Sequence, residues 1–488
     1  MQAKKIQDKL LNSPFIKTAF EISQKYNQVF FLVGGAIRDL YINNSIGNDL
    51  DFLVESNTGS IASDFSNKYK GSFFCLDNKR ESYRAIINHQ GAYHTIDFST
   101  ILDGDINRDL MNRDFTINSI ALKLNDIFEK DELNLIDPTQ GLEDFKKKYI
   151  RFSSSTSFSQ DPVRILRAVR FSRKFNFTYE SKTLNLIKEM KDHLLVSPWE
   201  RIRSEFFKIL NLPDATQSLL ELDKLGLLSL LIPEIESMKG MEQGIHHDYD
   251  LWEHSLKAVH FAEETLENIK QCFPQYGERL KNYFSDQLES EIQRSQVLIL
   301  TAFLHDTGKP LTKIERGKQI HFYQHDHFGV KINRRIAKRF MLGRKTIRII
   351  TTITRHHMRL LNLYKLETIT DRAKYRFLKD AKDAYLDTLI IGIADFMATR
   401  KSSLNEKKEA SFLKFVSHLI DYYYQEFPKS RFKALLNGNE VMETLHIKSG
   451  KKVGELLALI ENAEREGTIS NREEAVKLIT SKYRMEDR

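Results

Sequence analysis

The chain has 488 residues, and its 74 lysines and arginines against 66 aspartates and glutamates give a formal net charge of +8. Its length is sufficient for three or four domains, each with its own hydrophobic core. Two cysteines, Cys75 and Cys272, exclude a disulfide framework and a zinc site built on cysteine. The longest apolar run, 297–304, is far below the roughly 18 residues that a membrane span needs, and the N-terminus lacks a signal-peptide pattern. We expect a cytoplasmic protein without membrane contact.

A glycine pair follows the first predicted strand. The apolar residues 29–33 predict a buried strand, and residues 36–41 predict the beginning of a helix. Gly34 and Gly35 lie between the two, where they allow the backbone to approach another group closely. A glycine turn in front of a helix N-terminus is typical of sites that bind anions.

Two aspartates lie on the next predicted strand, residues 49–54. Strand alternation places Asp49 and Asp51 on one face, about 7 Å apart along the chain. Two neighbouring carboxylates beside a glycine turn suit divalent cations and a polyphosphate, although a solvated acidic edge has the same pattern. Residues 94–100 predict a further strand, on which Asp97 is either the third carboxylate of a two-metal site or a surface residue.

Basic residues dominate the segment 146–174, in which the one acidic residue is Asp161. At 100° per residue, Arg164, Arg167 and Arg170 lie on one side of a predicted helix. A helix face that is merely solvated usually mixes charges of both signs, so we expect this face to contact a phosphate-rich partner.

Two later stretches complete the pattern of a known family. Residues 113–121, Arg-Asp-Phe-Thr-Ile-Asn-Ser-Ile-Ala, and residues 136–145, Ile-Asp-Pro-Thr-Gln-Gly-Leu-Glu-Asp-Phe, follow the strands described above. In this order the motifs resemble the class II tRNA nucleotidyltransferase and poly(A) polymerase family, whose head is of the DNA-polymerase-β type. Among its members, the chain is most similar to bacterial CCA-adding enzymes.

The resemblance assigns roles to particular residues. It implies that Asp49 and Asp51 are catalytic and hold Mg²⁺, with Asp97 as the candidate third carboxylate. The residues implied in nucleotide binding are Gly34, Gly35, Arg38, Arg113, Asp114, Asp161, Arg164, Arg167 and Arg170. For the Arg-Asp pair at the start of 113–121, a local salt bridge at a helix start is the alternative interpretation.

Residues 160–164 resemble the family's base-selecting motif, E-D-x-x-R, with Gln160 in place of its glutamate. Cytosine and adenine share an amino group beside an unprotonated ring nitrogen, so Asp161 would accept one hydrogen bond from the base and Arg164 would donate another. Uracil and guanine lack this arrangement and would be rejected. Helix capping is the alternative role of Asp161. A second departure from the family is Asn112, which replaces the first arginine of an Arg-Arg-Asp motif.

The second half of the chain resembles an HD metal-dependent phosphohydrolase domain. Its apolar run 297–304 ends in His305-Asp306 and continues with Thr-Gly-Lys-Pro. The resemblance implies a divalent transition metal or Mg²⁺, which imidazole and carboxylate groups suit. The implied metal ligands are His254, His305, Asp306, His325, His357 and Asp395. Such a domain either hydrolyses phosphoesters or serves as a scaffold, and both interpretations stay open.

The predicted fold class is α+β, with a small sheet-and-helix head followed by an all-helical remainder. The predicted domains are a nucleotidyltransferase head at 1–150, a helical neck at 151–235, an HD domain at 236–400 and a helical tail at 401–488.

The predicted function is template-independent addition of C, C and A to the 3′ end of tRNA from CTP and ATP, by two-metal phosphoryl transfer. Within the family, the alternatives are a CC-adding enzyme, an A-adding enzyme and a poly(A) polymerase. An alternative from another class is an HD phosphohydrolase that uses its head only to bind RNA. The predicted partners are therefore tRNA, CTP and ATP, and the oligomeric state is left open.

Overall fold

A computed structural model describes residues 2–130, 132–244, 248–317, 319–366, 368–399, 406–426, 435–465 and 468–486. By its internal contacts the chain divides into two units, Met1–Pro233 and Glu234–Arg488. No helix in the described ranges is long and apolar enough to cross a membrane. The predicted boundary between the HD domain and the tail, at 400 and 401, lies outside the described residues.

A seven-stranded sheet organises the first unit. Its strands are β1 (Phe31–Val33), β2 (Asp49–Val54), β3 (Ser72–Asp77), β4 (Ser82–His89), β5 (Ala92–Thr100), β6 (Ala121–Lys123) and β7 (Leu135–Ile136). They lie in the order β3-β4-β5-β2-β1-β6-β7. The pair β2–β5 is parallel, and the other neighbours are antiparallel. The strands predicted at 29–33, 49–54 and 94–100 are thus confirmed, the first shortened to three residues and the last extended at its beginning.

Most helices of the head cover one face of this sheet, and the helix at 106–111 contributes Leu110 to the apolar cluster on the other face. The helices of the head are α1 (Gln2–Leu11), α2 (Pro14–Tyr26), α3 (Gly35–Asn43), α4 (Thr58–Lys68), α5 (Ile106–Met111), α6 (Leu124–Glu129) and α7 (Gly141–Lys147). Leu50, Phe52 and Val54 point into the main core, where Phe52 stacks on Phe98 with 5.4 Å between ring centroids. The opposite face of the sheet carries a smaller apolar cluster over β1 and β6 and the polar side chains of β2 and β5.

The neck follows the head within the first unit. Its elements are β8 (Tyr149–Ile150), α8 (Ser157–Gln160), α9 (Arg164–Phe175), β9 (Thr178–Tyr179), α10 (Ser181–Met190), α11 (Trp199–Leu210), α12 (Ala215–Lys224) and α13 (Leu227–Leu231). Helix α9 buries the apolar side chains of Ile165, Leu166 and Val169, as its periodicity predicts. Its arginines therefore lie on the face directed away from that apolar side.

The second unit is mostly helical. Its elements are α14 (Leu251–Glu267), α15 (Ile269–Cys272), α16 (Gly277–Ser285), β10 (Gln287–Glu289), β11 (Ile292–Gln293), α17 (Arg294–Leu304), β12 (Lys313–Arg316), β13 (Gln319–Phe322), α18 (His325–Arg339), α19 (Arg344–Tyr364), α20 (Asp371–Ala381), α21 (Tyr385–Ala398), α22 (Glu406–Asp421), α23 (Gly438–Leu445), α24 (Lys451–Arg465) and α25 (Arg472–Glu486). Helices α14, α17, α18, α19 and α21 pack together, and α23–α25 share a separate core.

The predicted α+β class, with a sheet in the head followed by helices, is confirmed. Within the described ranges, three two-stranded sheets interrupt the remainder, which was predicted to be entirely helical. Two are hairpins, β10–β11 and β12–β13, and the third pairs β8 with β9 in parallel. Strands of two to four residues leave too little periodic signal to be recognised in the sequence.

Candidate active site and metal centre

Three carboxylates lie on one face of two neighbouring strands of the head. In the parallel pair β2–β5, Asp51 lies opposite Asp97, and Asp49 precedes Asp51 by two residues on the same face. Burial raises the pKa of the Asp51 carboxyl; Arg113 opposes this effect, and the charges of Asp97 and Asp49 add to it. A cation bound at this cluster would stabilise the ionised carboxylates, so the residues fit a divalent metal ion.

Asp97 is partnered by an arginine of the next strand. Arg84 donates from Nε to Oδ1 at 2.9 Å and from an Nη to Oδ2 at 2.8 Å. This bidentate pair fixes the guanidinium and occupies both oxygens of Asp97. The structure thus brings Asp97 to the carboxylate cluster, and its catalytic role stays a prediction.

Gly34 allows the turn between β1 and α3 to lie against the carboxylates. It is the N-cap residue of α3 and has a φ of 71°, in the region that favours glycine. A Cβ at this position would lie 2.9 Å from an oxygen of Asp51 and 3.1 Å from an Nη of Arg113. Only glycine therefore permits this close approach.

Arg38, on helix α3, is buried rather than directed into solvent. Its Nε donates to Asp39 at 2.8 Å, and an Nη donates to Asn118 at 2.7 Å. The guanidinium carbon lies 5.1 Å and 4.9 Å from the ring centroids of Phe171 and Phe175. Two of its three nitrogens are thus used within the protein.

Two arginines on the basic face of α9 are paired with acids from other elements of the first unit. Arg167 donates from Nε and an Nη to Asp114 at 2.9 and 2.6 Å. Arg170 donates to Glu205, of α11, at 2.7 Å. Both acids lie outside the segment 146–174, where a count of local charges does not detect them.

Asp114 is the centre of a buried network. Besides Arg167, Asn118 donates to its Oδ1 at 2.9 Å, as does the backbone N–H of Phe115 at 2.8 Å. Burial by itself would raise the pKa of Asp114, but the charge of Arg167 and these hydrogen bonds outweigh it and lower the pKa to about 2. The alternative interpretation, a local salt bridge at a helix start, does not describe Asp114, because its partner Arg167 lies 53 residues further along the chain.

A cavity of about 290 Å³ opens beside this network. It is lined by Leu53, Arg80, Ser99, Asn112, Arg113, Asp114, Asp161, Arg164, Arg167 and Arg201. Arg80, from the β3–β4 turn, and Arg201, from α11, were not among the predicted site residues. Arg80 donates to the buried Asp109 at 2.9 Å. No local pattern in the sequence indicates that Arg80 or Arg201 lines the cavity.

Asp161 combines a hydrogen bond within the turn before α9 with an ion pair. Its Oδ1 accepts from the backbone N–H of Val163 at 3.3 Å, and its Oδ2 accepts from Arg201 at 2.7 Å. Arg164 is a looser neighbour, with 4.0 Å between its Nε and Oδ2 of Asp161. The Nη groups of Arg164 donate to Ser157 and to the backbone carbonyls of 112 and 113.

The two departures from the family motifs lie at different distances from the cavity. Gln160 is exposed and donates to the hydroxyl of Thr156 at 3.3 Å. Asn112 lines the cavity and donates from its side chain to the carbonyl of Arg108 at 2.8 Å, at the C-terminal end of α5.

In the second unit, all six predicted metal ligands meet in one buried cluster. They come from α14, the turn after α17, the beginning of α18, α19 and α21. The ligand atoms of His254, His305 and Asp395 lie within 4.8 Å of one another, as do those of His305, Asp306 and His357. Nε2 of His325 lies 3.3 Å from Oδ1 of Asp306 and 3.3 Å from Nε2 of His357. Asp306 therefore lies between two groups of imidazoles.

The histidines of this cluster are oriented by backbone carbonyls. Nδ1 of His305, His325 and His357 donates to the carbonyl three residues earlier, at 2.7 to 2.8 Å. This contact directs each Nε2 towards the carboxylates, as in metal sites where an outer partner fixes the tautomer. Gly308 allows the turn to form, because a Cβ there would lie 1.9 Å from the carbonyl oxygen of His325.

The donor groups of the cluster are of the kinds that bind a metal ion. Burial by itself would raise the pKa of Asp306, but His305 and Lys309 outweigh it and hold the pKa well below its ordinary value. Burial lowers the pKa of His325 to about 4, which leaves this imidazole neutral. Oδ1 of Asp306 is buried and has no hydrogen-bond partner. A neutral imidazole and an orphaned carboxylate oxygen are the donors that a divalent metal ion binds.

Three family models match successive parts of the chain, in the same order as the head, the neck and the second unit. They describe a poly A polymerase head domain at residues 30–151, a probable RNA and SrmB-binding site of polymerase A at 176–239, and an HD domain at 251–395. Together they cover more than half of the chain. The head and RNA-binding models define the class of protein, a nucleotidyltransferase. The chain belongs to the class II tRNA nucleotidyltransferase and poly(A) polymerase family.

Curated relatives match nearly the whole chain. An A-adding tRNA nucleotidyltransferase of Deinococcus radiodurans is 28% identical over 91% of this chain and 93% of its own length. A CC-adding tRNA nucleotidyltransferase of Thermus thermophilus is 27% identical over 91% and 92%. Among solved structures, a CCA-adding enzyme with ATP has a TM-score of 0.60 at 22% identity, covering 98% of this chain and 96% of its own. The Thermotoga maritima CCA-adding enzyme with tRNA has a TM-score of 0.55 at 23% identity, covering 98% of both.

Replacement of Asp114 by asparagine tests the buried network. Because the pKa of Asp114 is lower in the folded protein than in the unfolded chain, its contribution is complete above about pH 4 and is lost as the pH falls towards 2. We expect Asp114→Asn to lower the free energy of unfolding at pH 7 by about 2 kcal/mol. Urea unfolding at several pH values should show this difference shrinking between pH 4 and 2. Asp8→Asn, at an exposed position, is the matched control; an equal effect would contradict the assignment.

Proposed function

We propose that the protein adds C, C and A to the 3′ end of tRNA, using CTP and ATP. The observation that carries this proposal is the placement of Asp49, Asp51 and Asp97 on one face beside the Gly34 turn. The arginine-lined cavity supports it, as do the names of relatives that span over nine-tenths of the chain. We also propose the domain limits 1–150, 151–235, 236–400 and 401–488, and a cytoplasmic location, where tRNA and both nucleotides occur.

The proposed reaction is attack of the RNA 3′-hydroxyl on the α-phosphorus of the nucleotide, with loss of pyrophosphate. Asp49 and Asp51 would hold Mg²⁺, which supplies activation of the hydroxyl and neutralisation of the developing charge. The N–H groups at the Gly34–Gly35 turn and the guanidinium of Arg113 lie beside Asp51 and would bind the phosphates. Arg38 is buried, and its proposed role is to hold the N-terminal turn of α3 in place through its hydrogen bonds to Asp39 and Asn118.

Base selection is proposed for the cavity. One edge of the incoming base would donate its amino group to Asp161, and Nε of Arg164 would donate to the ring nitrogen. The contact of Arg201 with Oδ2 of Asp161 orients the carboxylate for this purpose. Arg167 and Arg170, which are paired with acids, would contribute to nucleotide binding by fixing the wall of the cavity.

A second candidate is partial addition, of CC or of A only. It is favoured by the relatives that match the chain over about nine-tenths of its length, whose names are A-adding and CC-adding tRNA nucleotidyltransferase. A poly(A) polymerase is the remaining alternative within the family. These enzymes differ in the RNA end that they extend and in the point at which they stop, and both can be measured.

We expect the purified protein to extend a tRNA without its last three nucleotides by C, C and A when CTP, ATP and Mg²⁺ are present. A CC-adding enzyme would stop after two cytidines, and an A-adding enzyme would extend only a tRNA that ends in CC. Asp51→Ala should lower incorporation by more than about 100-fold without abolishing tRNA binding, because its carboxylate holds metal. Asp8→Ala is the control, and near-normal incorporation by Asp51→Ala would refute the site.

Asp161→Asn separates base selection from capping. Asparagine caps a helix as well as aspartate, so stability should be unchanged if capping were the whole role. If Asp161 reads the base, the ratio of kcat/KM for CTP over UTP, and for ATP over GTP, should fall by at least about tenfold. Measurement of all four nucleotides decides between the two, and unchanged ratios leave capping as the role of Asp161.

For the second unit we propose a divalent metal site, occupied by a transition metal or Mg²⁺, with phosphoester hydrolysis as its chemistry. Its proposed ligands are His254, His305, Asp306, His325, His357 and Asp395. The buried, oriented imidazoles support this proposal. Lys309, which donates to Asp306 at 2.6 Å and to Gln243 at 2.7 Å, would hold the shared carboxylate in place.

His357→Ala should lose the metal bound to the second unit, because it removes an imidazole from the buried cluster. Metal analysis of the purified protein and hydrolysis of a nucleoside 2′,3′-cyclic phosphate are the measurements. His356→Ala is the matched control, since His356 is the adjacent residue of α19 and lies outside the cluster. Nucleotide addition should persist in both variants; its complete loss in folded His357→Ala would contradict separate activities.

A further inference from the structure

Strand β3 is an edge strand with unusual exposure. All six of its residues are exposed, and among them Phe73, Phe74 and Leu76 are 41%, 46% and 44% exposed. Proteins generally avoid exposed apolar residues at the edge of a sheet, because such edges pair with other chains. Contiguous exposed apolar surface commonly marks a binding site.

The register of the sheet connects this strand to the catalytic carboxylates. Phe74 lies opposite Arg84, Arg84 opposite Asp97, and Asp97 opposite Asp51. Residues that are directly opposite share a face, so these four side chains form one row across the sheet. At about 4.8 Å between strands, Arg84 lies about 10 Å and Phe74 about 14 Å from Asp51. Phe73 lies opposite Ala85 and points to the other face.

Arg84 is held in place but remains accessible. Asp97 accepts from two of its nitrogens, while 39% of its side-chain surface is exposed. A guanidinium is not deprotonated in proteins, so Arg84 stays charged. A fixed cation next to an exposed aromatic ring is the combination with which proteins bind single-stranded nucleic acid.

The nucleotide cavity approaches the carboxylates from another direction. Its lining includes Leu53 and Ser99, which follow Asp51 and Asp97 by two residues along their strands. The row to Phe74 instead runs across the strands, towards the edge of the sheet. A transfer reaction needs its nucleophile and its leaving group on different sides of the phosphorus, so two separate approaches are required.

We propose that Phe74 and Arg84 bind the 3′-terminal nucleotides of the RNA that is extended. Phe74 stacks on a base near the end of the RNA, and Arg84 contacts the backbone phosphate between that base and the terminal ribose. This inference rests on the proposed function and adds to it the surface that holds the nucleophilic strand. Charge complementarity and continuity with the carboxylates favour RNA over a second protein chain paired along the edge.

The test compares two neighbouring phenylalanines of the same strand. Phe74→Ala removes the ring on the catalytic face, and Phe73→Ala removes an equally exposed ring on the other face. Phe74→Ala should raise KM for a tRNA that lacks its 3′ end by about tenfold, as expected for loss of one stacked base. The KM of the Phe74→Ala protein for CTP should be unchanged. The KM values of the Phe73→Ala protein for tRNA and for CTP should both stay within about twofold of those of the protein without substitutions. Thermal unfolding checks that both variants are folded.

A second measurement separates this inference from the proposed function. A fluorescein-labelled RNA minihelix ending in CC is titrated into Asp51→Ala protein with and without the Phe74→Ala and Arg84→Gln changes, at several salt concentrations. Weaker binding with Phe74→Ala, and a shallower salt dependence with Arg84→Gln, support the RNA surface. Equal binding by the Phe74→Ala and Phe73→Ala proteins overturns it, even where nucleotide addition is normal. Sedimentation that shows self-association abolished by Phe74→Ala also overturns it, since the edge then pairs with another copy.

Discussion

The buried ion pair between Asp114 and Arg167 is the contact on which the candidate nucleotide site depends. Through Asn118 and Glu205, it links the guanidinium of Arg38, at the glycine turn, to the arginines of α9 in one network. Removing one member would leave a buried charge without a partner, which costs far more than the pair contributes. The network thus holds two parts of the site in place, the wall of the cavity and the glycine turn beside Asp51.

The two acidic centres differ in how their charge is compensated. In the head, Asp49, Asp51 and Asp97 lie side by side on β2 and β5, and burial together with the charges of Asp97 and Asp49 raises the pKa of Asp51. In the second unit, Asp306 is enclosed by imidazoles and Lys309, which lower its pKa. A carboxylate cluster whose charge is only partly balanced suits a metal that arrives with phosphates, whereas an enclosed set of oriented imidazoles suits a resident metal.

The sheet of the head serves as a platform with two approaches to the same carboxylates. Along the strands, Leu53 and Ser99 lead into the arginine-lined cavity. Across the strands, Arg84 and Phe74 lead to the exposed edge. Parallel pairing of β2 with β5 creates this geometry, because it places Asp51 beside Asp97 while the apolar residues that alternate with them enter the core.

The sequence by itself determined the strands with their alternation, the glycine turn and the amphipathic helix α9, and its resemblance to HD domains implied the six histidines and aspartates of the candidate metal cluster. All of these follow from local spacing or from short motifs, which a linear pattern records. Only the tertiary structure decided that Asp114 and Glu205 pair with two arginines of α9, that Arg80 and Arg201 line the cavity, and that Arg84 pairs with Asp97. Most of these pairings join residues far apart in the chain, and the pairing of Arg84 with Asp97 depends on the register of two strands, so a local pattern does not record them.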